Sequence, residues 1–369
     1  FNGASAAALV SEAYEQGVSL LVLPELCLTG YTCSDLFLQE SLLDGAGKAL
    51  LTLTEATRDK NMVVLAGLPL TVNGVLYNVA AVLHDGDILG FVPKSYLPTY
   101  SEFYEGRHYH SGADIEADVL FNGRTYPFGT RLLFRCRQMP AFTLGIEICE
   151  DLWVAQPPSI SHALAGATVI ANLSASDETT GKDIYRRSLV SGQSARLVCG
   201  YIYADAGEGE SSTDLVFGAH NLICENGSIL AESERFSNQM IMADMDMSKL
   251  ISERRRMTTW QPKFDNGYRV IDFDLEMHEV DLRRFIDPHP FVPDDAMDRT
   301  RRCEEILTIQ AMGLKKRLEH THSQSAVIGI SGGLDSTLAL LVTARAFDFL
   351  GMPREKNTAV TMPCFGTTD

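Results

Sequence analysis

The chain has 369 residues, 45% hydrophobic and 21% charged, which is the composition of a globular protein of roughly two or three domains. Its formal net charge of −17 argues against a nucleic-acid or membrane-surface role and points to a small substrate or a protein partner. No stretch reaches the ~20 apolar residues of a membrane span, and the eight cysteines contain no C-x-x-C pair, which fits a reducing, cytoplasmic setting better than a disulfide framework or zinc knuckle.

The opening "FNGASAAALVSEAYEQG" lacks a basic n-region and reads as an amphipathic helix, not a signal peptide. "VSLLVLPEL" follows as a buried strand ending at Pro24–Glu25. "SLLDGAGKALLTLTEATRDK" has a helical pattern. "MVVLAGLPLTVNGVLYNVAAVLHDGDILGFVPK" reads as strands punctuated by turns at Asn73–Gly74 and Asp85–Asp87. "MPAFTLGIEICEDLW" is a strand running into a turn, and "SHALAGATVIANLSAS" a helix, a strand and a polar loop. "IYRRSLVSGQSARLVCGYIYADA" reads as helix then strand, and "HNLICENGSILAES" as a hairpin around Asn226–Gly227.

These elements predict an α+β layered domain over residues 1–265. The Pro- and Asp-rich segment 266–295 reads as a linker. Residues 296–369 begin a second, α/β domain: the long helix "AMDRTRRCEEILTIQAMGLKKRLEH", the strand "SAVIGI", the turn "SGGLDS", a helix, and the strand "NTAVTMP". A parallel sheet needs more strands than this to be covered, so the second domain is expected to be incomplete.

Three strand ends each carry one polar residue: Glu25 after "LLVLP", Lys94 after "ILGFVP" and Cys149 after "LGIEI". Cys149 stands between Glu147 and Glu150–Asp151, where negative charge disfavours a thiolate. Taken singly, Cys149 reads as a small buried hydrophobe, Glu25 as a cap or ion-pair partner and Lys94 as a surface charge. Brought together at the strand ends, they form a working set. Lys94 supplies the missing positive charge, and Glu25 accepts the thiol proton. The ammonium and the N–H after the cysteine hold an oxyanion. Cysteine attack on an amide then gives a thioester and ammonia. The other cysteines lack such surroundings, and the nine histidines form no H-x-x-x-H pattern.

Over residues 1–265 the chain resembles the nitrilase superfamily, through "PELCLTGY", "VPKSYLP" and "EICEDLW" in that order. The resemblance implies an αββα sandwich with a Glu25–Lys94–Cys149 triad. It also implies a second glutamate about eight positions after the lysine, which is Glu102, with Glu105 the near competitor. It departs at the N-terminus, where such domains usually have a strand before the first helix.

"AVIGISGGLDSTLALLVTARAF" is a strand, a Gly-rich turn and a helix. The backbone of Gly332 and Gly333, with the hydroxyls of Ser331 and Ser336, is placed to meet a phosphate at the helix N-terminus. No G-K-[ST] follows, so this is not a Walker A loop. Asp335 suits a Mg²⁺-bound pyrophosphate. "SGGLDS" resembles the loop of the ATP pyrophosphatases, the start of a Rossmann-like α/β domain. A nitrilase-type domain joined to it, with "ANLSAS" and "TMPCFGTT", is similar to the glutamine-dependent NAD(+) synthetase family. That resemblance implies that the first domain releases ammonia from glutamine. The ammonia passes through a tunnel to nicotinic acid adenine dinucleotide, adenylylated by ATP in the second. It places Tyr100, Glu150 and Ser176 at the glutamine side and implies ATP, Mg²⁺ and a homo-oligomer. The competing expectations are a stand-alone nitrilase-type amidase, another ATP pyrophosphatase amidotransferase, and an inactive scaffold module.

Overall fold

A computed structural model of the chain describes residues 1–362, apart from 213, 265–266 and 279–281. It divides into two compact units, residues 1–284 and 285–369.

The first unit is built on two sheets. The strands β1 (Leu20–Val22), β2 (Val63–Val72), β3 (Val75–His84), β4 (Asp87–Pro93), β5 (Glu116–Phe121) and β6 (Arg124–Gly129) form one, in the order β1-β2-β3-β4-β6-β5. The second contains β7 (Leu132–Cys136), β8 (Thr143–Ile148), β9 (Val169–Ser174), β10 (Gly200–Asp205), β11 (Leu222–Glu225), β12 (Ser228–Glu232) and β13 (Arg269–Phe273), in the order β12-β11-β10-β9-β8-β7-β13. Helices α1 (Asn2–Glu15) and α2 (Glu40–Ala56) cover the first sheet; α3 (Pro158–Leu164) and α4 (Lys182–Leu197) cover the second, and α5 (Met247–Arg256) follows.

Strand periodicity explains the layering. On β2, Val64, Ala66 and Leu68 pack with Val10, Leu50 and Leu53 of the helices. The intervening Val63 and Leu65 pack with Phe134, Leu144 and Ile146 of the opposite sheet. Both faces of the strand are therefore buried, which is why it reads as a continuous apolar run. The second sheet repeats the device: Val169 and Ala171 face inward, and Ile170 packs with Val190 and Leu197 of α4.

One expectation is corrected. Segment 266–295 is not all linker, because β13 within it pairs in parallel with β7 and places Phe273 in the core. Its short, largely exposed run in a Pro- and Asp-rich stretch hid the strand, which exists because the sheet edge supplies its partner. The β5–β6 hairpin and β7 were also not read; the hairpin turns at Asn122–Gly123.

The second unit contains α6 (Ala296–His320), β14 (Ala326–Gly329), α7 (Leu334–Leu350) and β15 (Asn357–Val360). The two strands pair in parallel across α7, the βαβ start expected. Ala311 of α6 packs with Val342 and Ala346 of α7. From residue 363 on, the "TMPCFGTT" motif lies outside the described residues. Among the described residues, no helix is long and apolar enough to cross a membrane.

Candidate functional site

Glu25 lies just past β1, in a turn pressed against β2. A Cβ at Gly67 would stand 2.2 Å from Leu26 N and 2.8 Å from the Pro24 carbonyl oxygen, so only glycine lets this turn seat on the strand. The Glu25 carboxylate is fully enclosed. Oε1 accepts from Asn78 Nδ2 at 2.6 Å and from Lys94 Nζ at 2.7 Å, and Oε2 accepts from Ala175 N at 2.9 Å. Lys94, at the end of β4 and 1% exposed, also donates to Glu105 Oε1 at 2.5 Å. Tyr31 donates its hydroxyl to the same oxygen at 2.8 Å.

The structure brings Glu105, rather than Glu102, against the Lys94 ammonium. The loop after Lys94 closes when Glu105 N donates to the Pro98 carbonyl, and a 3₁₀ turn over Glu105–Arg107 aims Glu105 inward. Glu102 is half-buried in that loop and makes no hydrogen bond or ion pair among the described residues. A spacing of eight does not reach the lysine because this loop needs eleven residues to return to it.

Cys149 follows directly on β8 and starts a 3₁₀ turn over Cys149–Leu152. Its φ of +44° is left-handed, a conformation that costs a non-glycine residue about 1–3 kcal/mol. Asn172, buried on β9, holds the strained peptide from both sides: its Oδ1 accepts from Cys149 N at 3.1 Å and its Nδ2 donates to the Cys149 carbonyl at 3.4 Å. The carboxylates beside the cysteine diverge. Glu147 points away, accepting from Ser159 N at 2.8 Å and from the Tyr201 hydroxyl. Asp151 is buried and accepts from Ile148 N at 2.9 Å, Ser95 N at 3.1 Å and Tyr96 N at 2.9 Å. Glu150 is half-buried and accepts from the Tyr100 hydroxyl at 2.8 Å.

Electrostatics join the three strand ends. Burial raises the Glu25 carboxyl to about 7, against the pull of the Lys94 ammonium. Burial lowers the Lys94 ammonium, but Glu105 and Glu25 outweigh it and leave it well above its usual value. The Cys149 thiol is pushed well up by burial and by Glu25, while Lys94 draws it down. The resting arrangement is a neutral thiol in the field of an ammonium, beside a carboxyl whose basicity burial has raised toward that of a general base.

At the mouth, Lys182 opens α4 with its ammonium 5.4 Å from the centre of the Trp153 ring and 5.9 Å from that of Phe103, and it pairs with Asp177. Tyr100 is exposed. Ser176 is buried deeper. Its Oγ accepts from the enclosed Arg186 at 3.3 Å, and its N–H donates to Asp205 at 2.8 Å. Sequence reasoning missed Asn78, Asn172, Asp151, Lys182 and Tyr31. The available signal was an amide interrupting an apolar strand, as in "LYNVAAV" and "VIANL".

The second unit's loop wraps the start of α7. Ser331 N donates to Ser336 Oγ at 3.3 Å, Gly333 N donates to Ser331 Oγ at 3.4 Å, and Gly332 has φ +86°. Asp335 occupies the first turn of α7 and borders a cavity of about 590 Å³ between α6 and α7, with Gln310 and Leu338. Among the described residues, no three His, Cys, Asp or Glu side chains cluster as a metal site. A single carboxylate still suits Mg²⁺, which takes one or two carboxylates and completes its shell with phosphate and water.

The carbon-nitrogen hydrolase family profile matches residues 2–255, and the NAD synthase profile matches residues 306–369. The chain belongs to the carbon-nitrogen hydrolase family. The chain is 44% identical to the glutamine-dependent NAD(+) synthetase of Mycobacterium tuberculosis, covering 99% of this chain and 55% of that one. It is thus similar to little more than half the length of the curated relatives it matches. In fold it is similar to a glutamine-dependent NAD(+) synthetase from Cytophaga hutchinsonii, with TM-score 0.60 and 24% identity over 100% of this chain and 58% of that one. It is also similar to one from Acinetobacter baumannii in complex with ADP, with TM-score 0.57 and 23% identity over 100% and 57%.

Proposed function

We propose that residues 1–284 hydrolyse glutamine and that the chain is part of a glutamine-dependent NAD(+) synthetase. The observation that carries the reading is the enclosed Glu25–Lys94–Glu105 ion cluster acting on the strained Cys149. Glu25 takes the thiol proton as sulfur attacks the amide carbon. Lys94 Nζ and the N–H after the cysteine hold the oxyanion. The protonated Glu25 then gives its proton to the leaving nitrogen, ammonia departs and a thioester remains. Water, deprotonated by Glu25, attacks the thioester; glutamate leaves and the thiol is restored. Lys94 stays charged throughout, pinned by two carboxylates.

The mouth suits a zwitterion. Glu150, steered by Tyr100, faces the α-ammonium, and Lys182 meets the α-carboxylate after leaving Asp177. Ser176 acts through the loop it anchors. The Ser331–Ser336 loop takes ATP phosphates at the start of α7, and Asp335 is the residue available to Mg²⁺. In the whole protein the released ammonia passes through a tunnel to adenylylated nicotinic acid adenine dinucleotide. The NAD synthase match at residues 306–369 favours this over a stand-alone amidase.

The test is ammonia release from glutamine against a panel of aliphatic amides, with Cys149→Ala as control. Glutamine preference lost in Cys149→Ala is expected. Equal turnover of simple amides, or activity surviving in Cys149→Ala, overturns the reading.

A further inference from the structure

Asp151 lies two residues past Cys149 and is 1% exposed, yet among the described residues it forms no ion pair. Its carboxylate is spent on three backbone N–H groups from two segments. Oδ2 holds Ile148 N, on the residue just before the strained Cys149. Oδ1 holds Ser95 N and Tyr96 N, the two peptides leaving Lys94. The positions of the nucleophile and the ammonium are therefore tied through one side chain, although the two residues follow strands of different sheets. We propose that Asp151 is a positioning residue: it clamps the cysteine turn to the lysine loop, so that the thiol keeps its place against the Lys94 ammonium during thioester formation. The proposal rests on the glutaminase reading for its kinetic readout but not for its chemical one.

Glu147 is a matched control. It is an equally buried carboxylate two residues before the cysteine, and it too accepts from a backbone N–H, but it secures α3 rather than the lysine loop. In Asp151→Asn the amide oxygen can still accept from Ser95 and Tyr96, whereas its NH₂ meets the Ile148 N–H donor to donor. The nucleophile leg of the clamp is lost, and the lysine leg is kept. Displacement of a reacting atom by about 1 Å can cost ~100-fold in rate.

The experiment compares Asp151→Asn, Glu147→Gln and the unsubstituted full chain in three measurements: melting temperature, kcat and KM for glutamine, and the rate of Cys149 alkylation by iodoacetamide across pH. Both variants are expected to melt lower. Only Asp151→Asn should lose about 100-fold in kcat with KM within threefold, and alkylate about tenfold more slowly. Burial raises the Asp151 carboxyl to about 8 against its N–H donors, so the rates are compared above pH 8, where removing a negative charge alone does the opposite, acidifying the thiol and speeding alkylation. Unchanged or faster alkylation in Asp151→Asn, or losses matching those of Glu147→Gln, overturns the proposal. Should Asp151→Asn fail to fold, Asp151→Glu keeps the charge but is one methylene too long for both legs; full kcat in that variant also overturns it. If the unsubstituted chain does not hydrolyse glutamine, the glutaminase reading falls while alkylation still tests the clamp.

Discussion

Replacing Glu105 with glutamine removes one of the two carboxylates that hold the Lys94 ammonium and leaves the loop length and side-chain shape intact. At 2.5 Å and an effective dielectric constant of ~20, the pair attracts by about 6–7 kcal/mol before desolvation is counted. Removing one side of a buried pair costs about 3–5 kcal/mol. The amide oxygen keeps a neutral hydrogen bond from the ammonium, which returns about 1 kcal/mol. A net loss of about 2–4 kcal/mol remains. Should it fall on the transition state, where Lys94 must stay fixed beside the oxyanion, kcat drops roughly 30- to 1,000-fold. Glu102→Gln removes a charge from a half-buried side chain with no bonded partner among the described residues and should leave kcat within twofold. Ammonia release at saturating glutamine, with melting curves to confirm folding, measures both. A tenfold loss in Glu102→Gln beside a near-normal Glu105→Gln would refute the assignment of the second carboxylate.

Lys94→Arg should lose at least 100-fold in kcat, since a planar guanidinium cannot fit between Glu25 and Glu105 where an ammonium donates to both; near-normal turnover would make the lysine structural. Because Glu25 is raised to about 7 and acts as its carboxylate, kcat/KM should fall about tenfold per pH unit below that value, and a profile flat from pH 8 to 5.5 would exclude it as the base. His162 is buried and held down to about 4, donating from Nε2 to the Ile146 carbonyl and accepting at Nδ1 from the Tyr268 hydroxyl. The fold therefore resists a proton that the unfolded chain accepts below about 6.5, so stability is lost as pH falls from 6.5 to 4, by about 3 kcal/mol in all. Urea midpoints at pH 7 and 4.5 should show this, and His162→Gln should flatten the difference; an equal pH dependence in the variant would refute it. Gly67→Ala forces a methyl into the Leu26 peptide and should displace Glu25, lowering kcat about 100-fold; an unchanged kcat would mean the turn relaxes freely.

The sequence by itself determined the α+β class, the buried strands and the three residues Glu25, Lys94 and Cys149. Each of these is signalled locally, by an apolar run and a polar residue at its end. It also determined the Ser331–Ser336 turn, because a strand, a Gly-rich loop and a helix contiguous in the chain are contiguous in space. Only the tertiary structure decided which glutamate meets Lys94, because that depends on how the loop after the lysine closes on Pro98, and a residue count cannot register closure. The strand Arg269–Phe273 was invisible for a related reason: its order comes from β7, which lies more than a hundred residues earlier in the chain. Asn78, Asn172 and Asp151 are ordinary polar letters in the sequence. They become parts of the site because burial leaves the peptides and carboxylates around Cys149 no water, and each of these side chains supplies the missing partner.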